Sequence, residues 1–243
     1  FSLCVSSAGA FDSEIVSSKT VQAKAAILVD MDTDYVMYDL NAHEKMYPAS
    51  ITKVMTAALT LDAVSEGKLS LDEIITAGPT AWQGLDTSSS NQNIQVGEQM
   101  SVKNLLYCLM VASANEAANI LAVAVAGSID NFVAMMNAKA AQLGCTGTHF
   151  VNPDGMPDND HYTTAYDLYL IGKYAMQNET FRTIVKTPEY YVEPTNMNGN
   201  RRHFFNTNGL LSNKKYAGYY YENCIGIKTG STDSAGYCLL SAA

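Results

Sequence analysis

Pro48-Ala49-Ser50-Ile51-Thr52-Lys53-Val54-Met55-Thr56 opens a run, residues 50–65, in which Ile51, Val54, Met55, Ala58 and Leu59 recur at helical spacing. The run predicts a helix, with Pro48 just ahead of its first turn, where a missing N–H is harmless. Ser50 and Lys53 are three residues apart and project from one face. A serine hydroxyl needs a base within hydrogen-bond reach to act as a nucleophile. A lysine one turn away serves if burial lowers its pKa. The helix N-terminus adds N–H groups that favour negative charge. Alone, the tetrapeptide decides nothing. Ser-x-x-Lys recurs at Ser65-Glu66-Gly67-Lys68 and Ser212-Asn213-Lys214-Lys215, both polar and turn-like. For an isolated match, a serine N-cap and a solvated lysine are the plainer reading.

Ahead of this run, residues 24–32 read as a strand, Asp32-Thr33-Asp34 as a turn and residues 35–40 as the returning strand of a hairpin. Behind it, Gly67 ends the helix, and residues 79–101 form a long polar excursion rich in Ser, Thr, Asn, Gln and Gly. Ser101 caps a helix carrying Leu105, Leu106, Leu109 and Met110, which stops at residues 112–115. A second helix runs through Ala126, and a third over residues 128–143 is closed by Gly144. Residues 145–162 are a loop containing Asn152-Pro153-Asp154-Gly155, and Thr164 with Asp167 resembles a capping box. Strand-like composition returns at residues 190–193, 203–205, 225–228 and 235–240. A lone hairpin is not stable in water, so the early hairpin and the late strands are expected to share a sheet. The fold class is α/β, with sheet regions at about 22–65 and 187–243 and a mostly helical insertion at about 66–186.

Of the 243 residues, 47% are hydrophobic and 16% charged, which suits a globular chain with an ample core. A net charge of −9 argues against nucleic acid, whose phosphates call for a basic face. No run is long enough to cross a membrane. Residues 1–10 end in Ala8-Gly9-Ala10 and read as the tail of a secretion signal, which places residues 11–243 outside the cytoplasm. Cys4 follows Leu3 rather than a small residue, which argues against a lipid anchor. None of the five cysteines has zinc-site spacing. Cys108, among apolar neighbours, is a small hydrophobe. Cys224 and Cys238 flank a turn and either face one another across two strands or stay free.

Two further signals give the opening stretch its weight. Ser113-Ala114-Asn115 lies between two helices, where a hydroxyl and an amide can point into one cleft; on its own it is nearly uninformative, and Ser-x-Asn recurs at Ser89-Ser90-Asn91. Ile225-Gly226-Ile227-Lys228-Thr229-Gly230-Ser231-Thr232 is a strand ending in small residues, and its Lys-Thr-Gly occurs once in the chain. Lys228 and Gly230 face one way on such a strand and Thr229 the other unless a twist turns it inward, and Gly230 leaves room for a ligand backbone.

Ser-x-x-Lys, Ser-x-Asn and Lys-Thr-Gly, in this order, resemble the set found in penicillin-binding proteins and class A β-lactamases. Over about residues 22–242 the chain resembles the low-molecular-mass D-alanyl-D-alanine carboxypeptidases. Residues 47–57, 109–118, 150–155, 208–211 and 226–232 with Ala235-Gly236 carry the likeness. The resemblance implies a β-lactamase/transpeptidase-like antiparallel sheet flanked by helices. It implies that Ser50 attacks the carbonyl between two terminal D-alanines of a peptidoglycan stem peptide, that Lys53 takes the hydroxyl proton and that Ser113 relays a proton to the leaving amine. Asn115 would bind the substrate backbone and Lys53, Lys228 would keep the pocket positive, and the Thr229 hydroxyl would hold the terminal carboxylate. Beside Gly230, the N–H groups of Ser50 and Ser231 would form the oxyanion hole. No metal or organic cofactor is implied, and β-lactam antibiotics are expected to acylate Ser50.

Class A β-lactamases carry a Glu-x-x-x-Asn motif, and this chain has none, so fast β-lactam turnover is the lesser alternative. A non-catalytic penicillin-sensing or cell-wall-binding module is the other. Ser231 stands where some relatives have His. The family pattern continues past the equivalent of Ala243 with a core strand, an arginine and a closing helix. The expectation is therefore that the chain is C-terminally incomplete and that any membrane association belongs to a region outside it.

Overall fold

The computed structural model describes residues 21–85 and 88–243; the signal-like residues 1–10, with Cys4, lie outside them. β1 (Ala26–Asp30) and β2 (Tyr35–Leu40) form the expected hairpin. The Asp30 carboxylate closes its turn by accepting the N–H groups of Asp32 (2.9 Å) and Thr33 (3.2 Å). A 3-10 turn, Ala49–Thr52, then leads into α1 (Lys53–Ser65). The α-helix thus begins three residues later than the spacing predicts, and Ser50 stands on the 3-10 turn. Ala49, at φ +47°, is left-handed and cannot continue into a regular right-handed helix.

α1 is buried from Lys53 through Leu61, so it is the central helix of the core rather than an amphipathic surface helix. Around it lie α2 (Val102–Met110), α3 (Asn115–Ala126), α4 (Ile129–Gln142), α5 (Ala165–Ala175) and α6 (Glu179–Val185). Two caps match the sequence reading. Ser101 Oγ accepts from Asn104 N–H (3.1 Å), and Thr164 Oγ1 accepts from Asp167 N–H (3.0 Å). The box at Thr164 is only half made, because the Asp167 carboxylate accepts instead from Gly147 N–H (2.8 Å) and the Thr148 hydroxyl (2.7 Å). Among the described residues, no single helix is long and apolar enough to cross a membrane.

The remaining strands are β3 (Ile74–Thr76), β4 (Gln99–Ser101), β5 (Glu189–Val192), β6 (Arg202–Phe205), β7 (Gly226–Thr232) and β8 (Gly236–Ala242). Among the described residues they pair as four antiparallel ladders, β1–β2, β3–β4, β5–β6 and β7–β8. The early hairpin and the late strands therefore do not hydrogen-bond to one another, contrary to expectation. Both rest on α5, across a groove whose walls include Leu28, Val29, Leu240 and Ala242 and whose floor includes Tyr169 and Gly172. Leu240 closes on Gly172, where an added Cβ would lie 3.2 Å from its Cδ2. Apolar packing on the helix, rather than strand pairing, fixes each hairpin's position.

Of the two arrangements open to Cys224 and Cys238, the structure has the free one. Cys238 stands opposite Gly230, and the Cys224 thiol donates to Gly226 O (3.2 Å). The four cysteines among the described residues are all free.

Candidate active site

The site forms where β7 crosses the 3-10 turn. A Cβ on Gly230 would meet Ser50 N at 2.9 Å and Pro48 O at 3.1 Å, so glycine is what lets the strand approach the serine backbone. From the other side, Gly155, at φ +89°, lies so close to the Ala49 carbonyl that any side chain would overlap it. Thr52 Oγ1 donates to the same carbonyl (2.9 Å) and receives His161 Nε2–H (2.8 Å). That tautomer is assigned because His161 Nδ1 accepts from Val151 N–H (3.2 Å). These contacts hold the left-handed Ala49, and with it the bearing of Ser50.

Lys53 is fully buried. Its Nζ has three partners: Ser50 Oγ (2.9 Å), Asn115 Oδ1 (2.6 Å) and the Asp154 backbone carbonyl (2.6 Å). Burial pulls its pKa down to about 8, against the pull of Asp154 and Glu116 toward the charged form. A neutral amine keeps two N–H bonds and a lone pair. The two oxygens that can only accept, on Asn115 and Asp154, take the N–H bonds. The lone pair is then left for the Ser50 hydroxyl.

Ser113, at φ +63°, and Asn115, the first residue of α3, stand where α2 gives way to α3. Ser113 lines a cleft of about 540 Å³ together with Ser50, Thr229, Gly230 and Ser231. Thr229 Oγ1 donates to Thr207 Oγ1 (2.6 Å), so two hydroxyls share that end. Lys228 lies behind the strand at 1% exposure, with Nζ on Thr229 O (2.9 Å). Burial first, then the nearby Lys53 and Lys215, push its pKa well below the usual lysine value. The structure thus brings all eight sequence-predicted residues to one place, with Ser50, Ser113, Thr229, Gly230 and Ser231 on the cleft, the Lys53 and Lys228 nitrogens behind it and Asn115 on Lys53.

A family model described as D-alanyl-D-alanine carboxypeptidase matches residues 12–243. The chain belongs to that family. It is 34% identical over 234 residues to the D-alanyl-D-alanine carboxypeptidase DacF of Bacillus subtilis, covering 96% of this chain and 57% of that one. It is 33% identical over 251 residues to a D-alanyl-D-alanine carboxypeptidase of a Streptomyces species, covering 99% and 83%. A Streptomyces DD-transpeptidase crystal structure superposes with a TM-score of 0.82 at 33% identity, over 93% of this chain and 86% of that one. The chain spans little more than half the length of the relatives from Bacillus subtilis (57%) and Haemophilus influenzae (55%).

Around this carboxypeptidase-family site the structure adds residues that sequence reasoning had not singled out: Asp154, His161, Thr207 and Glu116. The signal for the first was present. Asn-Pro-Asp-Gly is a turn with side-chain closure, and Asn152 Oδ1 does accept from Gly155 N–H (2.7 Å). Nothing local marks the other three, whose side-chain partners lie 10 to 109 residues away.

Proposed function

We propose that this chain carries the catalytic machinery of a serine-type D-Ala-D-Ala carboxypeptidase acting on peptidoglycan stem peptides outside the cytoplasm, and that β-lactams acylate the same serine. The observation that carries this reading is the 2.9 Å contact between Ser50 Oγ and a fully buried Lys53 whose pKa is drawn to about 8. Neutral Lys53 accepts the hydroxyl proton as Ser50 Oγ bonds to the carbonyl carbon between the two D-alanines. Backbone N–H groups of Ser50 and Ser231 face the developing oxyanion. Asn115 orients the substrate backbone. The Thr229 hydroxyl, beside Thr207, takes the terminal carboxylate, while Lys228 holds the strand from behind through Thr229 O (2.9 Å). As the tetrahedral intermediate collapses, the C–N bond breaks and the leaving nitrogen takes a proton by way of Ser113. Water then attacks the ester, and Ser50 recovers its proton.

The test is release of free D-alanine from a diacetyl-Lys-D-Ala-D-Ala peptide, alongside covalent penicillin labelling. Wild type is expected to do both, and Ser50→Ala neither. Labelling without release would replace the carboxypeptidase by a penicillin-sensing module. Rapid penicillin hydrolysis would replace it by a β-lactamase.

A further inference from the structure

One wall of the cleft, at Ser90, belongs to the polar segment 88–98. The first turn of α3 and the residue one turn on grip this segment and the stretch before it. Asn119 Nδ2 donates to Ala81 O (3.1 Å) and Gln83 O (3.0 Å). Asn115 N–H donates to Ser90 O (2.9 Å). Glu116 Oε1 accepts two backbone N–H groups, from Gln92 (2.6 Å) and Ile94 (3.3 Å). From the far side, Arg202 Nε donates to Gln92 O (3.2 Å).

Glu116 is the unusual member. It is completely buried, and its Oε2 has no partner among the described residues. Both N–H groups go to one oxygen, so a glutamine amide would serve the clamp equally well. What a glutamine lacks is the charge. A carboxylate oxygen buried without a partner is costly and persists only where something nearby offsets it. The next residue back is Asn115, whose Oδ1 holds the Lys53 nitrogen (2.6 Å).

We propose that Glu116 is a positioning residue of this site: its carboxylate clamps Gln92 and Ile94, next to the Ser90 wall, to the start of α3 and supplies the negative charge that Lys53 leans on beside Ser50. The inference rests on the serine–lysine reading above. The Glu116 and Lys53 charges favour one another, while burial raises the carboxyl pKa and lowers that of the amine. Its other titratable neighbour is the Cys108 thiol on α2; Asp154, in the 152–155 loop, favours the Lys53 charge, and that charge in turn works against those of His161 and of Lys228 on β7.

Two variants separate clamp from charge. In Glu116→Gln, amide exchange at Gln92 and Ile94 is expected to stay slow, while the Lys53 titration, followed by NMR of labelled lysine side chains, moves down by about one unit. The acid limb of penicillin acylation should move with it. In Glu116→Ala, exchange at Gln92 and Ile94 accelerates. An unmoved Lys53 titration in the glutamine variant overturns the proposal, and so does unchanged exchange in the alanine variant. A structural role alone would weaken acylation equally at every pH. If wild type takes no penicillin label, the serine-acylation reading is what fails; the titration and the exchange still decide the role of Glu116.

Discussion

In the proposed mechanism, the reactivity of Ser50 turns on a contest over one nitrogen. Water is excluded from Lys53, which favours the neutral amine, while two carboxylates nearby favour the ammonium. The outcome, a pKa of about 8, fixes a pH dependence. The base must be neutral, and the neutral fraction grows as pH rises through that value. Penicillin acylation of Ser50 is therefore expected to fall about tenfold for each unit below pH 8 and to level off above it. Stopped-time labelling between pH 5 and 9 measures this directly, and a flat profile would remove Lys53 as the base. The residue types were legible in the sequence: three short motifs name Ser50, Lys53, Ser113, Asn115 and Lys228. The burial that tunes them was not. Lys228 illustrates the gap. It reads as a source of positive charge for the pocket, and it lies wholly beneath the strand, where burial works against that charge.

At the scale of elements, hairpins and capped helices follow from local patterns, and Ser101 and Thr164 cap as their neighbours suggest. Some elements escaped notice for a physical reason. The 3-10 turn at Ala49–Thr52 depends on a left-handed Ala49 held by Thr52, His161 and Gly155, and β3–β4 pairs only three residues on each side. Neither leaves a periodic trace. Residues 88–98, part of the polar excursion read over residues 79–101, are pinned on both sides. Glu98 is sealed from solvent and forms a two-toothed pair with Arg202 of β6, at 2.7 and 3.0 Å, while Thr195 adds a third bond (2.6 Å). Removing one partner strands the other's charge, so Glu98→Ala should destabilise the protein by roughly 3–5 kcal/mol. Urea unfolding would show it, and a loss under about 1 kcal/mol would mean that water reaches Arg202.

Across the whole molecule, the buried polar groups set its response to acid. His161 is buried as the neutral ring, with a pKa drawn down to about 4 by desolvation. The unfolded chain takes a proton there from about pH 6.5 downward, and the folded chain only near 4. The unfolded state thus binds more protons in that window, and this histidine's contribution, whole above pH 6.5, fades by about 3 kcal/mol as pH falls to 4. Asp154 and Glu116, with pKa values raised by burial, act in the opposite sense. The measurement is therefore the difference in unfolding free energy between wild type and His161→Gln, which should narrow as pH falls from 7 to 4. The partners of Lys53 lie 3, 62 and 101 residues away along the chain, so the base is assembled only after distant segments have docked. A fluorescent penicillin added during refolding would then act as a stopwatch: it stays dark on every partly folded species and lights only when the slowest of those dockings is complete.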